Sequence, residues 1–164
     1  ISVASGDLNA DGYSDVITGA GPGGGPHVLA LNGLALVQGS QVVMANFFAY
    51  DPAVRQGIFV ASGDYDGNGF ADIIVGAGPG GGPHVKVFDP SGTNTIDSFF
   101  AYSLGVSGGV CVGASDINND GRVEVLTVPY TNAPSDVKAF AFARGVVDDF
   151  FAFPPAFSGG AFVA

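Results

Sequence analysis

The sequence predicts an all-β fold of tandem four-stranded antiparallel sheets, and three observations carry that expectation. A nine-residue acidic motif occurs three times, beginning at Asp7, Asp64 and Asp116. Each copy is followed by a β-branched run: Val16-Ile17-Thr18, Ile73-Ile74-Val75 and Val125-Leu126-Thr127. No stretch sustains a 3.6-residue apolar period, so helices are not expected to carry the core. Self-similarity at a spacing of 57 and then 52 residues signals stacked units, each a single supersecondary element.

Four short strands can be read in each unit. The first is Ile1–Ala4, echoed by Ile58–Ala61, Val110–Gly113 and Ala161–Ala164. The second follows the acidic motif. The third is His27–Leu31, His84–Phe88 and Asp136–Phe140; the fourth is Asn46–Tyr50, Ser98–Tyr102 and Asp149–Phe153. These assignments divide the chain into units 1–57, 58–109 and 110–160, with 161–164 as the first strand of a further repeat. First strands apolar on both faces are expected between neighbouring sheets. The third strands place Lys86 and Lys138 beside apolar neighbours, which sends one face toward polar surroundings. The paired phenylalanines of the fourth strands alternate faces and supply the apolar bulk for packing one sheet on the next.

The acidic motif joins the first strand to the second, and its spacing points to a cation. Oxygen-bearing side chains stand at loop positions 1, 3, 5 and 9: Asp7, Asn9, Asp11, Asp15; Asp64, Asp66, Asn68, Asp72; Asp116, Asn118, Asp120, Glu124. Glycine at position 6 permits a sharp bend, and the position-7 carbonyl (Tyr13, Phe70, Arg122) can add an oxygen. Ca²⁺ takes six to eight oxygens at about 2.3–2.6 Å, and alternate residues of a curled loop can converge on one such ion. About three Ca²⁺ sites are expected, one per repeat. An EF-hand is excluded, because it needs a bidentate Glu at position 12 and flanking helices. Position 12 is Thr18, Val75 or Thr127, inside a strand. An Asx-rich turn that caps strands without metal is the other reading of these residues.

Two glycine loops, Gly19–His27 and Gly76–His84, link the second and third strands. A phosphate cradle would require a helix N-terminus next, and here another strand follows. The expected role is a close backbone turn where one sheet passes another. The third unit replaces the loop by Val128–Asp136, which has no glycine. His27 and His84 occupy equivalent positions in separate repeats, so they are spread apart and close their loops by hydrogen bonds. No nucleophile, base and orienting residue fall into an arrangement for catalysis. The chain is expected not to be an enzyme.

Bulk properties narrow the partners. The net charge is −10, and nine of the 15 acids lie in the three loops, so three Ca²⁺ would leave −4. Five scattered Lys and Arg make no basic patch, which excludes nucleic acid as a partner. Cys111, alone, cannot form an internal disulfide and reads as a buried inert thiol. No apolar run approaches the roughly 18 residues of a membrane span. The chain starts without Met and in mid-pattern, as a mature or excerpted segment would.

A four-stranded unit with a calcium loop between its first two strands and Gly-Ala-Gly-Pro after the second resembles the FG-GAP repeat. That family forms blades of the integrin α-chain β-propeller and of many bacterial secreted proteins. The resemblance covers three units plus one strand; the third departs from it in its glycine loop and in Glu124. It implies a non-catalytic, calcium-stabilised module at the cell surface or outside the cell, used for adhesion, ligand binding or scaffolding. The protein or glycan ligand stays unnamed, with a lectin ranked lower, and the connection Asn32–Ala45 is the candidate contact region. Propellers close with about 4–8 blades. Three units therefore imply an excerpt of a longer propeller or an open array. In an array, unpaired blades would self-associate into a filament or surface layer.

Overall fold

The computed structural model describes residues 1–163 and builds three four-stranded antiparallel sheets, each paired in chain order. The first blade contains β1 (Ser2–Gly6), β2 (Asp15–Gly19), β3 (His27–Leu31), a short α1 (Gly33–Val37) and β4 (Val43–Phe48). The second contains β5 (Ile58–Gly63), β6 (Asp72–Ala77), β7 (His84–Phe88) and β8 (Thr95–Phe100). The third contains β9 (Val110–Ser115), β10 (Glu124–Pro129), β11 (Asp136–Ala141) and β12 (Gly145–Phe151). Register repeats between blades: Ala4 faces Ile17, Ala61 faces Ile74 and Gly113 faces Leu126. A bulge falls at the same place in each third strand, between Ala30 and Leu31, Val87 and Phe88, and Ala139 and Phe140. The three sheets are the blades of a propeller-like stack that does not close on itself.

The hydrophobic core lies between blades rather than within them. Ile17 and Val28 of the first blade pack with Ile58, Val60, Ile73, Val75 and Phe88 of the second. Ile74, Val85 and Val87 of the second pack with Val110, Val112, Val125 and Phe140 of the third. The alternation along β6 thus sends Ile73 and Val75 to one seam and Ile74 to the other. A strand buried on both faces reads as a continuous apolar run, which is why Ile73-Ile74-Val75 shows no polar alternation.

First strands line the inner edge, with β1 beside β5 and β5 beside β9. The Val60 N–H donates to Ser2 Oγ at 3.1 Å across the first of these approaches. Gly76 shows how close the backbones come: a Cβ there would meet the Val110 carbonyl oxygen of the next blade at 2.3 Å. The glycine loops do carry one sheet past the next, as expected. Gly57, at φ 76°, leads into β5, and a Cβ there would sit 2.5 Å from the Gly21 carbonyl carbon. Ile58 N–H donates to Ala20 and Gly78 N–H to Gly57, at 2.9 and 3.0 Å.

The aromatic pairs split their duties between seam and blade. Phe47 crosses to Phe88 at 4.8 Å and Phe99 to Phe140 at 4.5 Å, so one ring of each pair grips the next blade. The other ring stays home, Phe48 against His27 and Phe100 stacked on His84. Such pairs contribute about 0.5–1.5 kcal/mol beyond their buried area.

Several expectations need adjustment. β4, β8 and β12 begin earlier than the expected fourth strands and end at the second Phe, because the third strands have no further partners to offer. α1 interrupts the otherwise all-β chain: Asn32 caps it by accepting the Ala35 N–H at 2.8 Å, and Leu34, Ala35 and Leu36 favour the turn. β1 is not covered on both faces, and Val3 is 63% exposed, since no blade lies on its outer side. Over 161–163 no strand ladder forms, and Ala164 lies outside the described residues. A first strand pairs with the second strand of its own unit, which these residues do not include. Ala161 and Val163 pack instead against Cys111, Val128 and Val137.

Candidate metal centre

The three acidic loops share one backbone scaffold. In each, the position-9 acid opens the second strand and is buried: Asp15 and Asp72 are 0% exposed and Glu124 is 1% exposed. Its carboxylate accepts the position-2 N–H, from Leu8 at 2.9 Å, Tyr65 at 3.0 Å and Ile117 at 3.0 Å. The position-1 carboxylates Asp7, Asp64 and Asp116 accept N–H groups from positions 5 and 6. The donors at position 6 are Gly12, Gly69 and Gly121, each at φ between 86° and 89°, the left-handed bend that glycine adopts without cost. Position-5 side chains take the position-7 N–H, Asp11 from Tyr13, Asn68 from Phe70 and Asp120 from Arg122.

On this common frame the side-chain oxygens converge to different degrees. One carboxylate oxygen from each of Asp64, Asp66 and Asp72 lies within 4.8 Å of the others. Oxygens on opposite sides of one Ca²⁺ stand about 5 Å apart, so that spacing suits a shared ion. Among the described residues, Asp7, Asp11 and Asp15 do not close up this far, nor do Asp116, Asp120 and Glu124. Asp72 Oδ1 is buried without a hydrogen-bond partner. Burial first, and then the charges of Asp66 and Asp64, push the Asp72 carboxyl up to about 6, against the N–H bonds from Tyr65 and Asp66. The donor set fits a hard cation: all oxygen, anionic and crowded.

Asn32, which motif spacing does not reveal, completes the first loop. Its amide donates to Asp15 at 3.2 Å and Asp11 at 3.4 Å, and Gly33 N–H adds a 2.8 Å bond to Asp15. Asp11 is held below the usual carboxylate range, mainly by the Tyr13 N–H and then by the Asn9 amide. A detectable signal was present: an Asx residue directly after the third strand, ahead of a Leu-Ala-Leu-Val run. In the third loop Glu124 accepts the Asn118 amide at 2.7 Å. Arg122 carries its guanidinium over the Phe142 ring and against Gly67 of the second loop.

The loops are also joined to one another. Ala71 N–H donates to the Asp7 carbonyl, and Val123 N–H to the Asp64 carbonyl, both at 2.9 Å. Position 8 of one loop is therefore fastened to position 1 of the loop before it.

A profile of the FG-GAP repeat matches residues 1–31 and 57–95, spanning the first two loops and their flanking strands. Those two segments are FG-GAP repeats. The third unit lies outside the matched segments; it shares the register, bulge and loop hydrogen bonds of the first two. Integrin alpha pat-2 of Caenorhabditis briggsae is 38% identical over 102 residues. That alignment takes in 56% of this chain, and the chain spans 8% of the length of that relative.

The other residues singled out by sequence lie outside the loops. His27 Nε2 is 2.6 Å from Asn46 and His84 Nε2 is 2.9 Å from Ser98, each inside its own blade. Cys111 is buried, and that burial pushes its thiol up to about 12. The groove along the inner edge, about 450 Å³, is lined by Val3, Val60, Cys111, Val112 and the hydroxyls of Ser2 and Ser62, among others. Among the described residues, no helix is long and apolar enough to cross a membrane.

Proposed function

We propose that the chain is a non-catalytic, calcium-stabilised module of an extracellular or cell-surface adhesion or ligand-binding protein, its units 1–57, 58–109 and 110–160 each serving as one blade. The observation that carries this reading is the second loop, where three carboxylates converge around a buried oxygen with no partner. Asp64, Asp66, Asn68 and Asp72, with the Phe70 carbonyl, would hold a Ca²⁺ there. Equivalent sets are Asp7, Asn9, Asp11, Asp15 with Tyr13, and Asp116, Asn118, Asp120, Glu124 with Arg122. The ion supplies positive charge that offsets the repulsion among carboxylates; the chain supplies geometry. Because each loop is bonded through its backbone to the next, an ordered loop also steadies a blade seam.

The adhesive role is supported by the FG-GAP match and by the likeness to an integrin alpha protein. Calcium-rich surroundings outside the cell suit loops of this type. The inner groove supports a non-catalytic reading, since its lining brings hydroxyl and apolar groups together and its one titratable side chain, Cys111, stays protonated. The partner proposed is a protein ligand, with loops at one end of the blades as the contact face.

A second reading, a filament or surface-layer subunit, is favoured by one observation. Phe150, the counterpart of Phe47 and Phe99, is 55% exposed where those two cover the next blade. That face suits another blade, from the same polypeptide or a second copy. Isothermal calorimetry of the metal-stripped chain with Ca²⁺ and with Mg²⁺ tests the calcium reading. Saturable Ca²⁺ binding supports it, and no heat with either ion refutes it. Concentration-dependent sedimentation separates a discrete module from an open array.

A further inference from the structure

We infer that the three loops are unequal and that the second, Asp64–Asp72, fills with a divalent cation before the other two; this rests on the calcium reading above. The acidic residues alone do not rank them, since each loop carries three carboxylates and one Asn at its four side-chain positions. The difference lies in what each buried acid already holds.

In the first loop both oxygens of Asp15 are satisfied. Oδ2 accepts the Leu8 N–H at 2.9 Å, while Oδ1 accepts Gly33 N–H at 2.8 Å and the Asn32 amide at 3.2 Å. The Asn32 amide reaches Asp11 as well, at 3.4 Å, so a protein N–H₂ stands between two of the would-be ligands. In the third loop the additional methylene of Glu124 lets its carboxylate span two donors. Oε2 takes Ile117 N–H at 3.0 Å and Oε1 takes the Asn118 amide at 2.7 Å, which draws the position-3 side chain onto the position-9 acid. A cation entering either loop must first displace a hydrogen-bonded amide.

The second loop makes no such demand. Asp72 is 0% exposed, its Oδ2 accepts the Tyr65 and Asp66 N–H groups, and its Oδ1 has no partner. Carboxylate oxygens of Asp64 and Asp66 already stand within 4.8 Å of one from Asp72. A buried anionic oxygen left without a donor is unfavourable, and a cation relieves that without breaking a bond. Affinity gained this way comes from preorganisation rather than from extra ligands.

Three glycine amides report on the loops separately. Gly12, Gly69 and Gly121 donate to Oδ2 of Asp7, Asp64 and Asp116 at 2.8, 2.9 and 2.9 Å, so each senses charge arriving at its own loop. The test is an NMR titration of the ¹⁵N-labelled, metal-stripped chain with CaCl₂. The Gly69 resonance should reach its midpoint at a Ca²⁺ concentration about tenfold or more below those of Gly12 and Gly121. A Glu124→Asp variant, whose shorter acid releases Asn118, should bring the Gly121 midpoint down toward that of Gly69. A common midpoint for all three glycines in the wild type overturns this inference and leaves calcium binding intact, as does a Gly12 or Gly121 midpoint below that of Gly69. No shift at any of the three overturns the calcium reading as well. Asp72→Asn should abolish the earliest phase; should that variant misfold, the wild-type titration decides alone.

Discussion

The hydroxyl of Tyr50, at the outer end of the first blade, lies 2.8 Å from the carbonyl oxygen of His84 in the second. It also stands 3.1 Å from the Val75 carbonyl, and burial pushes its pKa far up, so it remains a neutral donor. Tyr102 repeats the contact one seam later, at 2.6 Å from the Asp136 carbonyl and 2.9 Å from that of Thr127. Beneath each ring a lysine of the next blade completes the latch, Lys86 over Tyr50 and Lys138 over Tyr102, both at 5.1 Å. In the third unit the position is Phe153, which has no hydroxyl to donate.

Removing the Tyr50 or the Tyr102 hydroxyl should therefore loosen one seam each. Tyr50→Phe and Tyr102→Phe should each lower unfolding stability by about 1–2 kcal/mol, the effect of leaving a partly buried carbonyl short of a donor. The double variant should be close to additive, because the two latches share no residue. Urea unfolding monitored by circular dichroism measures this; unchanged midpoints in both single variants would show that the latch contributes nothing.

Backbone proximity at the seams gives a second expectation. A Cβ on Gly76 meets the Val110 carbonyl of β9 at 2.3 Å, whereas one on Gly19 meets side-chain atoms of Val60 and Ile58 at 2.9–3.2 Å. Side chains can change rotamer and a paired strand cannot. Gly76→Ala should therefore be the more damaging, by about 1–3 kcal/mol, an overpacking cost. Equal urea midpoints for the two variants would contradict the proposed seam geometry.

Acid should act on the first seam, between the first and second blades, through His84. Its ring is stacked on Phe100 and beside Tyr50, and burial, followed by the charge of Lys86, lowers its pKa. The unfolded chain, with an ordinary imidazole near 6.5, takes up the proton first as pH falls. Stability is thus present above the unfolded pKa and is lost as pH drops through the lower folded value. Between pH 7 and pH 5 the wild type should lose more thermal stability than His84→Gln at the same Ca²⁺ concentration. Identical losses would remove His84 from the account.

The loops were legible in the sequence because their chemistry is local and repeated. Asp64 and Asp72 are eight residues apart, and a single stretch of chain displays the ligand spacing, the glycine bend and the strand that follows. Seam aromatics were legible for a related reason, since alternation along Phe47-Phe48 and Phe99-Phe100 dictates opposite faces. The Tyr50 latch was not, because it joins backbone groups 25 and 34 residues away that come together only when two blades stack. Nor was the capture of Asp15 by Asn32, which depends on α1 folding back over the first loop. The contrast between Asp72 and Glu124 is subtler: Glu124 takes the amide of Asn118 at position 3, whereas position 3 of the second loop is Asp66, a carboxylate with no side-chain N–H to give, and Asp72 keeps an oxygen free. Motif spacing treats both as acids at position 9.

Thermal unfolding of the metal-stripped chain, with and without excess Ca²⁺, probes the central claim most directly. An ion bound only by folded loops adds RT ln(1 + [Ca²⁺]/Kd), about 2.7 kcal/mol per site at a hundredfold excess. For a chain of this length one filled site should raise the Tm by roughly 5–10 °C, and EDTA should return it to the starting value. Melting curves that superimpose in Ca²⁺ and in EDTA would contradict the account.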